Sequence, residues 1–213
     1  RQLLSGVLPG IAAFLIAAKI DYRWLKRLAL PLFVAASALL IMVFVPGIGS
    51  TLNTGARSWL VIAGVSTQPS EVAKLAIAIY LAKLLAEKKD DIKKFQRGFL
   101  PAFLIAAIPL ALVLLQPDLG TAIILFAIIF AMLFYGGASI FHLGGLTLTG
   151  AAGAMSMILA APYRAARLTT FLHPDENPLG LGYHINQAFV AIGSGGWFGL
   201  GFNRSRQKFQ FLP

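Results

Sequence analysis

Long apolar runs separated by short polar segments dominate the pattern of this chain. Each run is close to the roughly 20 residues that an α-helix needs to cross a bilayer. We therefore predict an all-α polytopic membrane protein with a bundle of about six transmembrane helices in this sequence. In order, the predicted helices cover 3–18, 28–45, 69–85, 99–115, 119–135 and 143–161.

Prolines, glycines and charges mark where these helices end. Pro46 and Gly47 stop the second helix, and only 116–118 joins the fourth helix to the fifth. Residues 51–70 are polar enough for a loop but contain the run 59–62, which favours an interfacial or re-entrant segment. From 163 to 213 the chain turns rich in glycine and arginine. We expect a large extracytoplasmic loop there, within a single membrane domain covering 1–213.

Composition agrees with a membrane protein and narrows its chemistry. The chain is 58% hydrophobic, and its mean hydropathy is +0.78. Its net charge of +10 is concentrated at helix ends, which favours anionic lipid over nucleic acid as the partner. There is no cysteine, so disulfides and thiolate metal sites are excluded. His142, His173 and His184 lack metal-ligand spacing, so we predict no metal site.

The distribution of cations predicts how the chain is oriented. Four cations lie in 19–27 and five in 88–97, whereas 46–70 carries only Arg57. By the positive-inside rule the first two segments face the cytoplasm, which puts the loop from Tyr163 onward outside. The chain begins at an arginine and shows no signal peptide, so we expect an internal piece of a longer protein.

The first candidate site is the start of the third helix. Pro69 suits a first helical turn, and Glu71 and Lys74 lie three residues apart on one face. One interpretation is a structural ion pair within the bundle. The other is that Lys74 holds the phosphate of a lipid headgroup and Glu71 tunes it.

The second candidate site is the turn between the fourth and fifth helices. Asp118 precedes Leu-Gly-Thr and is well placed to cap the fifth helix. Gln116, Asp118 and Thr121 also share the external end of these helices, where they could line a cavity. Both interpretations stay open.

The third candidate site is the external loop. Arg164 and Arg167 lie three apart, so on a helix beginning at Pro162 they would point the same way and suit a diphosphate. Snorkelling of these arginines at the membrane edge is the alternative. Asp175 and Glu176 lie between prolines in a rigid, non-helical turn, where an exposed acidic turn is the plain interpretation.

Four segments stand out as motifs: NTGARSWL, QPSEVAKLAIAIYLAKLL, QPDLGTA and NPLGLGYHINQAFVAIGSGGWFGLGFNRSRQKFQFLP. They resemble the SEDS family of FtsW, RodA and SpoVE proteins, whose members polymerise peptidoglycan. The resemblance covers essentially the whole chain, and the last motif is the most specific. Members have about ten spanning helices, so this chain resembles the portion from the second helix into the external loop. The Arg-Gln-Lys-Phe near the end leans toward the FtsW branch.

The resemblance implies a function at the bacterial cytoplasmic (inner) membrane. It implies an inverting glycosyltransferase that polymerises lipid II, the undecaprenyl-diphosphate-linked precursor, on the outer face during division or elongation. Such chemistry needs a carboxylate as base and cations for the departing diphosphate. Implied partners are a class B penicillin-binding transpeptidase, divisome or elongasome proteins, and membrane lipids. A divalent cation such as Mg²⁺ stays open as a cofactor.

One position departs from the family pattern. The family carries an essential Asp directly before Pro-x-Gly-x-Gly-Tyr, and Asn177 stands there in this chain. The Asp often found earlier, in Phe-Leu-Asp-Pro, is replaced by His173. Because an amide cannot act as a base, we expect Glu176, or failing that Asp175, to take the proton.

The remaining roles follow from the same resemblance and chemistry. Arg57, Lys74, Arg164 and Arg167 are candidate contacts to the diphosphate or headgroup, Glu71 and Asp118 are orienting acids, and Gln116, Tyr183 and Gln187 are candidate sugar contacts. Two other functions stay open. A lipid-precursor flippase predicts functional polar residues at mid-membrane depth, and a non-catalytic scaffold for the transpeptidase is favoured by Asn177.

Overall fold

Helices make up most of the protein. The structure is a computed structural model and describes residues 6–51, 56–62, 65–173, 182–201 and 204. The helices of this described part are α1 (Leu8–Lys19), α2 (Tyr22–Met42), α3 (Pro69–Lys88), α4 (Leu100–Leu115), α5 (Leu119–Tyr135), α6 (Ile140–Leu159), α7 (Pro162–Leu172) and α8 (Tyr183–Gly195). A 3₁₀ helix (Lys89–Lys93) and a π-helical turn (Phe95–Phe99) connect α3 to α4.

Helices occupy all six predicted positions, and three of the segments can be assigned as spans. Tyr22–Met42, Phe95–Leu115 and Ile140–Leu159 are long and apolar enough to cross a bilayer. The helices α1 and α5 are apolar but shorter. The protein is therefore an integral membrane protein, while the count of about six spans stays a prediction.

The start of α2 differs from the predicted one because of local capping. Asp21 accepts a hydrogen bond from the backbone N–H of Arg23 at 2.9 Å and starts α2 six residues earlier than predicted. Most of the predicted basic loop at 19–27 is therefore the first turns of a helix. Only 20–21 separates α1 from α2.

The helices α2 and α3 form an antiparallel pair. Lys26, early in α2, reaches Glu87, late in α3, with 3.6 Å between Nζ and Oε1. Further along the pair, the Phe33 and Tyr80 rings stack, with 4.7 Å between the ring centroids. The core around this pair is aliphatic and fully buried at Leu40, Ile77, Leu81, Val113, Leu125, Ile129 and Leu133.

The helices α4 and α5 are antiparallel neighbours because only 116–118 joins them. Both also pack on α3. The first turns of α3 and α5 meet at one end of the bundle, where the Gln68 side chain bonds to Asp118. That end carries most of the polar contacts described below.

The segment between α2 and α3 contains a small sheet that the sequence analysis missed. The strands β1 (Gly49–Ser50), β2 (Trp59–Ile62) and β3 (Val65–Thr67) pair antiparallel in the order β1-β2-β3. Leu60 pairs with Thr67 and is 4% exposed. The predicted loop or re-entrant segment is thus partly strand, because valine, isoleucine and threonine favour extended backbone.

The charged segment between α3 and α4 is folded against itself. Lys94 Nζ donates to Asp91 Oδ1 at 2.7 Å. This hydrogen bond and charge pairing lower the pKa of Asp91 and raise the pKa of Lys94. Gly98 in the π-helical turn lies so close to this segment that a Cβ there would meet the Asp91 carbonyl.

Aromatic rings tie the start of α6 to the same segment. The His142 ring lies 5.2 Å from the Phe95 ring and 5.0 Å from the Phe99 ring, centroid to centroid. Phe99 in turn stacks on Phe103 at 6.4 Å. The π-helical turn is therefore held on one side by backbone packing and on the other by rings.

The chain divides into two compact units, 1–150 and 151–213. The first holds α1 to α5, the sheet and the beginning of α6. The second holds the end of α6, α7 and α8. The prediction of a single membrane domain with a loop from 163 stays a prediction.

We expect Gly98→Ala to lower the thermal unfolding midpoint in detergent, because the added methyl group would collide with backbone atoms, which move only at a cost. Overpacking of this kind costs about 1–3 kcal/mol. Gly144→Ala is the matched control, since a Cβ there meets nothing within 4 Å and alanine favours the helix. Equal midpoints for both variants would contradict the tight packing at Gly98.

Candidate functional site

The polar end of the first unit is built around the carboxylate of Asp118. Its Oδ1 accepts from the Thr121 backbone N–H at 3.1 Å, and its Oδ2 accepts from Thr121 Oγ1 at 2.9 Å. The capping interpretation of Asp118 is therefore confirmed. The positive end of the α5 dipole stabilises the charge on this half-buried group.

A second helix start contributes to the same carboxylate. Gln68 precedes Pro69, whose ring suits the first turn of α3, and its backbone is extended with φ −101° and ψ 107°. Because this residue lies outside the helix, its side chain can extend toward α5. Its Nε2 donates to Asp118 Oδ2 at 3.2 Å across 50 residues of sequence. One acid thus joins the starts of α3 and α5.

Gln116 lies beneath this contact and is 1% exposed. Its Nε2 donates to the Leu40 carbonyl at 3.0 Å and ties the end of α4 to α2. Its Oε1 and the Ser70 hydroxyl are both buried without a hydrogen-bond partner among the described residues. In this structure Gln116 supports the polar end from within and does not face outward.

Glu71 and Lys74 form an ion pair on the first turns of α3. Lys74 Nζ lies 2.8 Å from each carboxylate oxygen, so the contact is bidentate. The Lys74 side chain is 22% exposed, whereas that of Glu71 is 59% exposed. The structure therefore shows the ion pair that the sequence allowed, with its acidic partner turned outward.

Arg57 is positioned by the end of α2. Its Nη2 donates to the Val45 carbonyl at 3.0 Å, in the turn that follows α2. Its buried Nε has no partner in the described part of the chain. The guanidinium therefore has donors to spare next to the small sheet.

The two arginines of α7 in the second unit serve different partners. Arg164 Nη1 donates to the Met157 carbonyl at 3.0 Å, in the last turn of α6. Arg167 lies over the ring of Tyr163, with 4.9 Å from Cζ to the ring centroid. The start of α7 at Pro162 is as predicted. However, Arg164 is half-buried and anchored, while Arg167 is exposed.

Tyr183 and Gln187 lie one turn apart at the start of α8, so they share a face of that helix. Both side chains are half-buried. The three candidate catalytic residues, Asp175, Glu176 and Asn177, lie outside the described residues. No group of three or more His, Asp or Glu side chains within the described ranges could hold a metal ion.

The sequence analysis missed Gln68 as a member of this site. Its bond to Asp118 spans 50 residues, so no local pattern could reveal the pairing. The available signal was an amide side chain immediately before a helix-starting proline.

Comparison with known proteins is consistent with this architecture. The sequence profile of the FtsW/RodA/SpoVE family, described as cell cycle proteins, matches residues 1–213. The chain belongs to this family. The resemblance inferred from the motifs is thereby confirmed.

Named relatives agree with the family match. The chain is 43% identical over 213 residues to stage V sporulation protein E of Bacillus subtilis (strain 168), covering 100% of this chain and 58% of that protein. It is 38% identical, with the same coverage of both chains, to a protein of Geobacter sp. (strain M18) named probable peptidoglycan glycosyltransferase FtsW. The chain thus spans little more than half the length of these relatives.

Solved structures share the fold. One is described as "Structural coordination of polymerization and crosslinking by a peptidoglycan synthase complex". It matches with a TM-score of 0.71 and 35% identity over 92% of this chain and 57% of that chain. The crystal structure of the rod shape determining protein RodA of Thermus thermophilus matches with a TM-score of 0.55 and 30% identity. That match covers 85% of this chain and 60% of that one.

We expect Asp118→Ala to destabilise the protein by about 1–2 kcal/mol, because α5 loses its cap. Gln68→Ala should cost about 0.5–1.5 kcal/mol, the worth of one hydrogen bond. The double variant should then cost less than the two single effects together, since both remove the same contact. Denaturant unfolding in detergent micelles measures all three.

The matched control for these single and double variants is Asp118→Asn, which keeps an acceptor oxygen for the Thr121 backbone N–H. It should retain more stability than Asp118→Ala. Strictly additive single effects would show that the Gln68 to Asp118 bond does not couple the two helix starts.

Proposed function

We propose that this chain is part of a peptidoglycan glycosyltransferase that polymerises lipid II into glycan strands. The observation that carries the proposal is the family match across residues 1–213. It is supported by relatives named probable peptidoglycan glycosyltransferase FtsW, which align with the whole chain at 36–38% identity. The apolar helices fit a substrate whose long polyprenyl tail must stay in the bilayer.

The proposed topology places about six spanning helices in the bacterial inner membrane, with residues 163–213 outside. The cations at the start of α2 and in 88–97 favour a cytoplasmic location for those helix ends. The polar end around Asp118 then faces outward, on the side where lipid-linked saccharide is polymerised.

The proposed reaction is a single displacement at the anomeric carbon of the donor. An acceptor hydroxyl forms the new C–O bond while the bond from that carbon to the diphosphate oxygen breaks. The diphosphate leaves with the electron pair, and the hydroxyl proton passes to a carboxylate. Attack opposite the leaving group inverts the anomeric configuration.

Glu176 is our first candidate for that carboxylate and Asp175 our second. Asn177 stands where the family carries aspartate, and an amide has no basic lone pair for a proton. A glutamate side chain is one methylene longer than aspartate, so the adjacent Glu176 could bring its oxygens to a similar point.

The cations would stabilise the negative charge that develops on the diphosphate. In the second unit Arg167 is the better candidate, because its exposed guanidinium stacks on Tyr163 and forms no ion pair with any of the described residues. Arg164 has donors left after bonding Met157. Tyr183 and Gln187 would contact the sugar.

In the first unit we assign headgroup contacts to Arg57 and Lys74. Glu71 would orient Lys74 through their bidentate contact. Asp118 orients the helix starts around it, and Gln116 supports that arrangement from the buried side. Both acids thus act as positioning residues in this proposal.

A non-catalytic scaffold for a class B penicillin-binding transpeptidase is the second candidate function, because Asn177 removes the family's acid. The similar solved complex is described as coordinating polymerization and crosslinking. It supports a crosslinking partner for both the polymerase and the scaffold proposals. We also propose division or elongation proteins as partners, with a lean to the FtsW branch. A flippase is less favoured, since Glu71, Lys74 and Asp118 all lie at helix starts instead of mid-helix.

We expect the full-length protein with its partner to polymerise lipid II, and Glu176→Gln to abolish the product while Asp175→Asn retains it. The physical reason is that an amide cannot accept the hydroxyl proton. Gel analysis of labelled glycan chains measures the outcome. If both amide variants keep full activity, neither acid is the base. If only Asn177→Asp polymerises, the scaffold interpretation is correct.

We expect Arg167→Ala to lower kcat/KM about 10- to 100-fold, the worth of a charged hydrogen bond, with thermal stability unchanged. Arg164→Ala should lower the unfolding midpoint as well, because the Met157 carbonyl loses its donor. Arg167→Lys serves as the control, because lysine keeps the positive charge but lacks the planar guanidinium group. A loss of stability without loss of activity in Arg167→Ala would contradict this assignment.

A further inference from the structure

The turn that follows α8 presents large apolar side chains directly to the surroundings. Trp197 and Phe198 are each 100% exposed, and Leu200 is 44% exposed. A soluble surface rarely leaves neighbouring tryptophan and phenylalanine rings fully uncovered. We call residues 196–201 the aromatic tip.

Glycines give the aromatic tip its shape. Gly196, Gly199 and Gly201 have φ of 53°, 70° and 95°, a region that L-residues with a Cβ rarely adopt. The Gly196 N–H still bonds to the Ile192 carbonyl at 3.1 Å, so the turn starts directly on the helix end. The backbone conformation therefore carries Trp197 and Phe198 outward as a pair.

The exposed apolar surface continues along α8. Phe189 is 61% exposed and Ile192 is 72% exposed, and these residues lie three apart on one helical face. Val190 beside them is 53% exposed. The aromatic tip is thus the end of a longer apolar stripe, with no charged residue between 183 and 201.

The position of this unit along the chain indicates what covers the stripe. The candidate span α6 ends at Leu159, and α7 starts at Pro162, so about 10 Å of chain at most separates them. The Arg164 bond to Met157 holds the start of α7 at the end of that span. The helix α7 therefore begins close to the end of this candidate span, where the bilayer surface would lie.

The residue types match that surface. Tryptophan is enriched at the membrane–water interface, where its ring is apolar and its N–H stays wet. Arg204, three residues beyond the aromatic tip, is exposed and suits a lipid phosphate. An uncharged apolar stripe that is followed by an arginine has the composition of an interfacial segment.

We propose that the aromatic tip and the apolar face of α8 insert into the headgroup and upper acyl region of the bilayer. The lipid surface is the partner of this stripe, and α8 lies against the membrane that α6 crosses. This inference rests on the membrane assignment and not on the proposed reaction.

Tryptophan fluorescence of the full-length protein in lipid nanodiscs tests the proposal. The chain has three tryptophans, so Trp24→Phe with Trp59→Phe leaves Trp197 as the single probe within it, after any tryptophan elsewhere in the full-length protein is also replaced. We expect its emission to be quenched by phosphatidylcholine brominated near the headgroup end of the acyl chain, and protected from aqueous iodide. The matched reference keeps Trp24 alone, which is 58% exposed at the start of the span α2.

Each outcome decides the question. Bromolipid quenching of Trp197 at least half as strong as that of Trp24 supports insertion. Quenching by iodide alone overturns it in favour of an aqueous tip, and protection from both quenchers overturns it in favour of a protein cover. If the single-tryptophan variants fold poorly, the difference between wild type and Trp197→Phe gives the same readout. Because no reaction is measured, failure here leaves the proposed polymerase untouched.

Discussion

The carboxylate of Asp118 is the contact on which the polar end of the bundle depends. In a bilayer the backbone groups within a helix satisfy one another, but those at its ends need other partners. Asp118 meets this need for α5 through Thr121 and reaches α3 through Gln68. Two parallel helices whose positive ends would repel each other are thereby brought together around one negative charge.

This arrangement concentrates polarity where chemistry on a lipid-linked substrate would need it. The core of the bundle below is aliphatic, and the buried polar side chains Ser70 and Gln116 lie at helix ends. Under the proposed function, a polyprenyl tail would remain among apolar side chains while the charged headgroup meets charged ones. This separation of apolar helix surface from polar helix ends is the arrangement that the proposed reaction would need.

Local sequence signals predicted the helices and their caps well. Pro69 and Pro162 begin helices, and Asp118 caps one, because each acts within a single turn. The predicted start of α2 was wrong because four nearby cations suggested a loop, although Asp21 caps the helix there. The small sheet was missed because its strands have only two to four residues, too few for a reliable alternation.

The site was predicted only in part, because sequence patterns reveal contacts within one helical turn but not contacts between distant residues. The ion pair of Glu71 with Lys74 is local and could be anticipated, whereas the bonds from Gln68 to Asp118 and from Gln116 to Leu40 join distant residues. The divergence of Arg164 and Arg167 depends on where α6 ends. Helical spacing alone could not supply that information.

The bond between Arg164 and Met157 has a mechanical consequence. With 20 residues, α6 is about 30 Å long, which matches the hydrocarbon thickness of a typical bilayer. A thinner bilayer makes such a helix tilt. Because the Arg164 guanidinium bonds to the last turn of α6, a change in the tilt of α6 would also reorient the start of α7.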